Sequence, residues 1–223
     1  MSRARREQAD RREWYLDCFR EFEQRLNGGA GTPLHALRRE AAGHFAEHGL
    51  PTGRDESWRH SKPQVVTRVP FSPSPAAGTV RPADIEPHAL EGAAALLVFA
   101  DGRFVPGLSH TGRLPAGVQA VSIAAALQTG ADFPVSGIDL LAGDGASGFA
   151  ALNTAFVEDG AALRIPARTE VEGPVQILYL STGAGDGPVA SFPRTLVVAG
   201  EGSRAAVVES FVGGAAVSGG AAR

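Results

Sequence analysis

The segment His44-Phe45-Ala46-Glu47-His48 puts two imidazoles and a carboxylate within five residues. On a helix, side chains at i and i+4 share a face. Two such imidazoles can hold Zn²⁺ while the glutamate activates a bound water, the chemistry of metal-dependent peptide hydrolysis. Three features weigh against that reading. The helical pattern stops one residue later, at Gly49, so the second ligand lacks rigid support. His48 falls on the stripe of Leu34, Ala41 and Phe45, where it is expected to pack at the core edge. Nothing nearby identifies a third protein ligand. Imidazoles in a last helical turn already suit the helix macrodipole, and no metal ligand is assigned.

Other groupings invite chemistry less strongly. Asp55, Glu56, Arg59 and His60 surround Trp58 and could form an acid–base set. Adjacent residues point apart on either a helix or a strand, however, so the two carboxylates do not converge. Trp58 is read as the anchor of a short turn. Gly183-Ala-Gly-Asp-Gly-Pro188 follows an apolar strand, as a phosphate-cradling loop would, but a strand comes next where such a loop must open a helix. A turn between strands is expected there. Cys18 is the only cysteine, so the chain has no internal disulfide. It is read as small core filler on a helical stripe, in a reducing compartment. His35, His60, His88 and His110 show no ligand spacing. No residue is assigned a catalytic, cofactor-binding or metal-binding role.

These residues need elements to hold them. Asp10 is expected to cap a first helix, with Glu13 as a box-like partner. Trp14, Cys18, Phe22 and Leu26 recur every four residues, with Tyr15 and Phe19 alongside, and Asn27-Gly28-Gly29 ends the run. A second helix starts at the N-cap Thr32 with Pro33 first inside, and stops at Gly49 and Pro51. Residues 1–62 are therefore read as a helical domain, and residues 63–92 as a Pro-rich connector. Residues 93–213 read as strand and turn. Asp101-Gly102 between apolar runs is a hairpin signal, and Leu114 to Gln128 begins extended and ends in a short helix. Asp159-Gly160 and Glu201-Gly202 stand at matching places ahead of two strands, which suggests stacked solenoid rungs, while a sandwich with the same strand spacing fits the pattern as well. Residues 214–223 form a Gly/Ala-rich tail.

Composition narrows the function classes. A net charge of −3 over 223 residues supplies no basic field for nucleic acid or anionic membrane. The one basic run, Ser2 to Glu13, is interrupted by Glu7, Asp10 and Glu13, unlike an acid-poor transit peptide. No apolar run approaches a membrane span. The expectation is a cytoplasmic protein that binds neither nucleic acid nor membrane.

The order of short motifs resembles the SufB/SufD proteins of iron–sulfur cluster assembly, and the SufD branch more closely. Gly49-Leu50-Pro51-Thr52, then Glu56 and Trp58, resemble the exit of the family's helical region. Leu97 to Ser109 resembles its strand–turn–strand, and Leu114-Pro115 with Gly117-Val118 its next step. Phe149 to Pro166, with Leu152-Asn153 and Asp159-Gly160, is the most specific match. Pro193-Arg194 and Glu209 resemble later strand motifs. The resemblance implies a mainly β protein with an α-helical N-terminal domain, its body a right-handed parallel β-helix. It implies a non-enzymatic scaffold that pairs with a SufB-like subunit and a SufC-like ABC ATPase. An iron–sulfur cluster, and a reduced flavin, would belong to that complex rather than to this chain alone.

The matching pattern stops near Gly213, whereas the family continues through further rungs and a helical domain that carries the ATPase contact. The chain is therefore read as a fragment, a frameshifted product or a truncated form. The resemblance transfers no cluster ligand. An open β-helix end would expose strand edge and apolar core, so self-association is expected. The alternative is a β-solenoid enzyme acting on carbohydrate or acyl substrates. For that role the rungs offer only scattered Arg164, Arg168, Glu170, Glu172, Arg194, Arg204 and Glu209.

Overall fold

The fold is that of a computed structural model, which describes residues 3–26, 32–129, 148–184 and 187–213. Two compact units emerge. The first comprises Met1–Pro73 with Val135–Val157, the second Ser74–Pro134 with Glu158–Arg223.

Helices build the first unit: α1 (Arg3–Arg25), α2 (Pro33–His48), α3 (Gln64–Thr67) and α6 (Gly148–Phe156), with the short strand β1 (Ser72–Pro73). The α1 helix begins well before Asp10, so that residue lies inside the helix and does not cap it. Its buried line is Tyr15, Phe19 and Phe22, spaced i, i+4, i+7. Trp14 is 39% exposed and Cys18 only half-buried, so the expected Trp14–Cys18 stripe is displaced by one residue. The reason is what waits opposite. Tyr15 meets Phe45 edge-on, and Phe19 and Phe22 both meet Phe156.

The second helix forms as its capping residues dictate. The Thr32 side chain accepts from the His35 backbone N–H, and Gly49 takes φ 68 as its N–H donates to the Phe45 carbonyl. Leu34, Ala41 and Phe45 are buried, but His48 is exposed and not at the core edge. Two polar residues of this helix are buried instead. His35 Nε2 lies 3.0 Å from a Glu23 carboxylate oxygen, and Arg38 donates twice to the Val157 carbonyl at 2.8 and 2.6 Å.

The second unit holds α4 (Pro82–Ile85), α5 (Ile123–Thr129) and the strands β2 (Ala95–Ala100), β3 (Arg103–Phe104), β4 (Gln119–Ser122), β5 (Gly160–Ile165), β6 (Glu170–Ser181), β7 (Val189–Ala190), β8 (Arg194–Ala199) and β9 (Arg204–Gly213). One sheet has the order β3-β2-β6-β9, another β4-β5-β8. Asp101 (φ 48) and Gly102 (φ 84) form the expected hairpin turn, pairing Phe99 with Phe104. The strand-then-helix reading also holds, in β4 and α5.

The right-handed parallel β-helix is not what forms. Both sheets are mixed: β3 runs antiparallel to β2, and β4 antiparallel to β5, beside parallel β2–β6, β6–β9 and β5–β8 ladders. No sheet among the described residues closes or winds as a solenoid. The chain is not mainly β either, because α1, α2 and α6 make a unit of their own. The supposed repeat fails at the register. Gly160 stands opposite Arg194 and Glu170 opposite Arg204, so Asp159-Gly160 and Glu201-Gly202 are not equivalent positions. The β-solenoid enzyme loses its scaffold with this correction. The Asn27-Gly28-Gly29 stop, Gly185-Asp186 and the 214–223 tail lie outside the described residues.

The core of this unit is apolar and continuous. Leu97, Phe99, Val175, Ile177 and Tyr179 from one sheet pack with Ala161, Leu163 and Ile165 from the other. On the far face of the first sheet, Leu96, Val98, Leu178 and Leu180 pack with Ile85. Two buried faces explain why these strands read as unbroken hydrophobic runs. The second unit also fixes its Pro-rich entry by a buried amide. Gln176 accepts from the Leu90 N–H at 2.8 Å and donates to the His88 carbonyl at 2.6 Å.

Candidate functional site

The signature residues fall into two places, one in each unit. In the first unit, Gly49 to Trp58 forms the exit of α2. A Cβ on Gly148 would meet the Gly49 carbonyl oxygen at 1.9 Å, so the start of α6 rests directly on this backbone. Leu50 and Pro51 are buried beneath it. The Asp55 carboxylate accepts from the Thr52 N–H at 2.5 Å and its hydroxyl at 3.1 Å, closing a turn that leads into the 3-10 stretch Glu56–Trp58. Trp58 meets Phe149 with ring centroids 5.3 Å apart. Glu56 pairs with Arg59 at 3.1 Å on the surface, and Arg59 Nε donates to His60 Nε2 at 3.4 Å. Asp55 and Glu56 therefore serve different partners and build no acid–base pair. Leu152 is buried in α6, and Asn153 is half-buried beside it.

Asp159 is the centre of the second unit's signature. One carboxylate oxygen accepts from Ser122 Oγ at 2.7 Å, the Ala124 N–H at 3.1 Å and the Gly160 N–H at 2.7 Å. The other accepts from the Phe104 N–H at 3.1 Å. Four donors from β3, the end of β4, the start of α5 and β5 thus converge on one buried carboxylate. The next residue must be glycine for a separate reason, since a Cβ there would lie 1.8 Å from the Arg194 carbonyl oxygen. Arg194 itself is buried, and burial lowers the pKa of its guanidinium. Pro193 leads into β8 and lines a cavity beside the end of β9.

Glu209 reaches the same region from β9. It accepts from Thr195 Oγ1 at 2.5 Å, and that hydroxyl lies 2.7 Å from the Tyr179 phenol oxygen. Burial pushes the Tyr179 phenol up to about 12, with the nearby Glu209 charge adding to the rise. Tyr179 stacks on Phe211, which is 71% exposed. These two rings, Pro193, Ser191 and the ends of β6 and β9 line the cavity, whose volume is about 360 Å³. A phenol held protonated, a threonine and an exposed carboxylate can orient a polar group.

Asp101 is a second buried carboxylate with a bonding role beyond its turn. It accepts from the Gly78 N–H at 2.9 Å, the Thr182 N–H at 2.8 Å and the Thr182 hydroxyl at 2.5 Å. The Asp-Gly turn is its only signal in the sequence. Helix α6 was not expected, although Ala151, Leu152, Ala155 and Phe156 follow helical spacing.

Among the described residues, no group of three or more His, Cys, Asp and Glu side chains could hold a metal ion. Burial raises the Cys18 thiol pKa, with Glu21 contributing, so the reactive thiolate is disfavoured. No described helix is long and apolar enough to cross a membrane.

A family model for the SufBD protein N-terminal region matches residues 9–177. An iron–sulfur cluster assembly SufBD family protein of Synechocystis sp. (strain ATCC 27184 / PCC 6803 / Kazusa) is 31% identical over 195 residues. That match covers 83% of this chain and 41% of the relative's own length.

Proposed function

This chain belongs to the SufBD family, and on that premise we propose that it is a SufD-like, non-catalytic scaffold subunit for iron–sulfur cluster assembly. The cluster is cargo of the assembled complex, and any reduced flavin belongs to that complex as well. The partners are a SufB-like subunit and, through it, a SufC-like ABC ATPase, in the cytoplasm. The observation that carries this reading is the state of Asp159. The most specific signature carboxylate accepts four internal hydrogen bonds and shapes the fold instead of facing a substrate. The other signature groups act similarly: Gly49 supports α6, and Trp58 packs on Phe149. Among the described residues, β9 is the outer strand of its sheet.

Co-purification of the chain with SufB-like and SufC-like proteins from the same cell tests the proposal. Capture of the SufB-like subunit supports it. Capture of neither overturns it. Anaerobic reconstitution of the chain alone with iron and sulfide should leave no visible cluster absorption, and a stable chromophore would also overturn the reading.

A further inference from the structure

The two imidazoles of the His44–His48 segment are not used by any part of the scaffold reading. Their rings stack with centroids 4.2 Å apart and planes 19° apart, on one face of the last turns of α2. His48 Nδ1 lies 3.0 Å from the His44 carbonyl oxygen. A carbonyl only accepts, so Nδ1 is the donor in this contact, and Nε2 is the nitrogen left to meet a metal. A histidine whose other nitrogen donates to a backbone carbonyl is set in the tautomer that ligates a metal. His44 has its Nδ1 edge buried without a hydrogen-bond partner, which leaves Nε2 as the nitrogen it can offer. Among the described residues, neither Nε2 is engaged by a protein group. Glu40 and Glu47 are exposed carboxylates of the same helix, and the negative end of the helix dipole also lies here.

We propose that His44 and His48 form a two-imidazole binding site for a borderline divalent transition-metal cation, with water completing its coordination. Two nitrogens at about 2.0–2.1 Å from one cation must stand about 3 Å apart. The rings stack with centroids 4.2 Å apart, so the site asks that they rotate about their side-chain torsions until both Nε2 atoms face one cation. With two protein ligands where catalytic zinc sites have three, the site binds a cation without performing hydrolysis. Imidazole ligands favour Cu²⁺, Ni²⁺ and Zn²⁺ and discriminate against Mg²⁺ and Ca²⁺.

Calorimetric titration of the full, tag-free chain with Ni²⁺, Zn²⁺ and Mg²⁺ tests this. The expected result is one Ni²⁺ or Zn²⁺ per chain and no heat from Mg²⁺. His48→Gln, an exposed and structurally mild change, should weaken Ni²⁺ binding about tenfold or more, as should His44→Gln, because each removes one of two ligands. His88→Gln should leave it unchanged. Unaltered affinity in His48→Gln, no binding at millimolar Ni²⁺, or equal binding of Mg²⁺ would each overturn the site.

Discussion

Gly160 and Arg194 stand directly opposite in the parallel β5–β8 ladder, and the glycine leaves no room for even a methyl group. A Cβ there would sit 1.8 Å from the Arg194 carbonyl oxygen and 2.6 Å from its nitrogen. Backbone atoms cannot swing aside as a flexible side chain can. Gly160→Ala must therefore push the two strands apart or shift their register. Overpacking of this kind costs about 1–3 kcal/mol, to be read as a lower urea midpoint. Gly43→Ala is the matched control, because a methyl group at that place in α2 would have nothing within 4 Å. That variant should be more stable by about 0.5–1 kcal/mol.

Asp159 offers a second test of the same signature. Asp159→Ala strands the Phe104, Ala124 and Gly160 N–H groups and the Ser122 hydroxyl in a buried place. Each unsatisfied buried donor costs about 1–3 kcal/mol, so the total loss should exceed about 3 kcal/mol after relaxation and water entry. Asp159→Asn keeps one acceptor oxygen and should fall between Asp159→Ala and the parent. Equal stability of all three in urea melts would show that the hub contributes nothing.

Much of this was legible in sequence where local chemistry alone decides. Thr32, Pro33 and Gly49 bounded α2, and Asp101-Gly102 set the β2–β3 hairpin, because caps and turns depend on a few adjacent residues. Strand pairing was not legible. Whether β4 runs parallel or antiparallel to β5 depends on partners far apart in the chain, and evenly spaced Asp-Gly and Glu-Gly turns imitated a solenoid repeat. The buried face of α1 lies one position from the expected one because Phe45 and Phe156, distant in sequence, select Tyr15 and Phe19 over Trp14. For the signature residues, sequence named Asp159 and Gly160 but not their roles. A carboxylate's donors come from wherever the fold brings backbone N–H groups, and no spacing rule encodes that.

Tyr179 makes stability depend on pH in the alkaline range. Its phenol is raised from 10.0 to about 12, first by burial. Between those values the unfolded chain has released the proton and the folded chain still holds it. Unfolding then releases a proton, so stability is fully present below pH 10 and declines as pH rises through about 12. The slope from this one group is at most about 1.4 kcal/mol per pH unit. Tyr15 is raised in the same direction by burial and adds its own contribution. Urea melts across the alkaline range should show a shallower decline for Tyr179→Phe than for the parent chain. An identical decline in both would mean that the buried phenol does not hold its proton.

Trp58 separates a structural signature from an interaction surface. It is half-buried, and its ring meets Phe149 of α6 at 5.3 Å and 61°. Aromatic pairs contribute about 0.5–1.5 kcal/mol beyond the area they bury. Trp58→Ala should therefore cost about 1–3 kcal/mol in all, and a domain of this size loses about 2–4 °C of Tm per kcal/mol. The loss should appear in the helical far-UV signal, because Phe149 belongs to α6. Trp58→Phe keeps an aromatic edge against Phe149 and should recover most of the loss. If Trp58→Ala instead leaves Tm unchanged while abolishing capture of the SufB-like subunit, the residue works at an interface, and its packing on Phe149 is incidental.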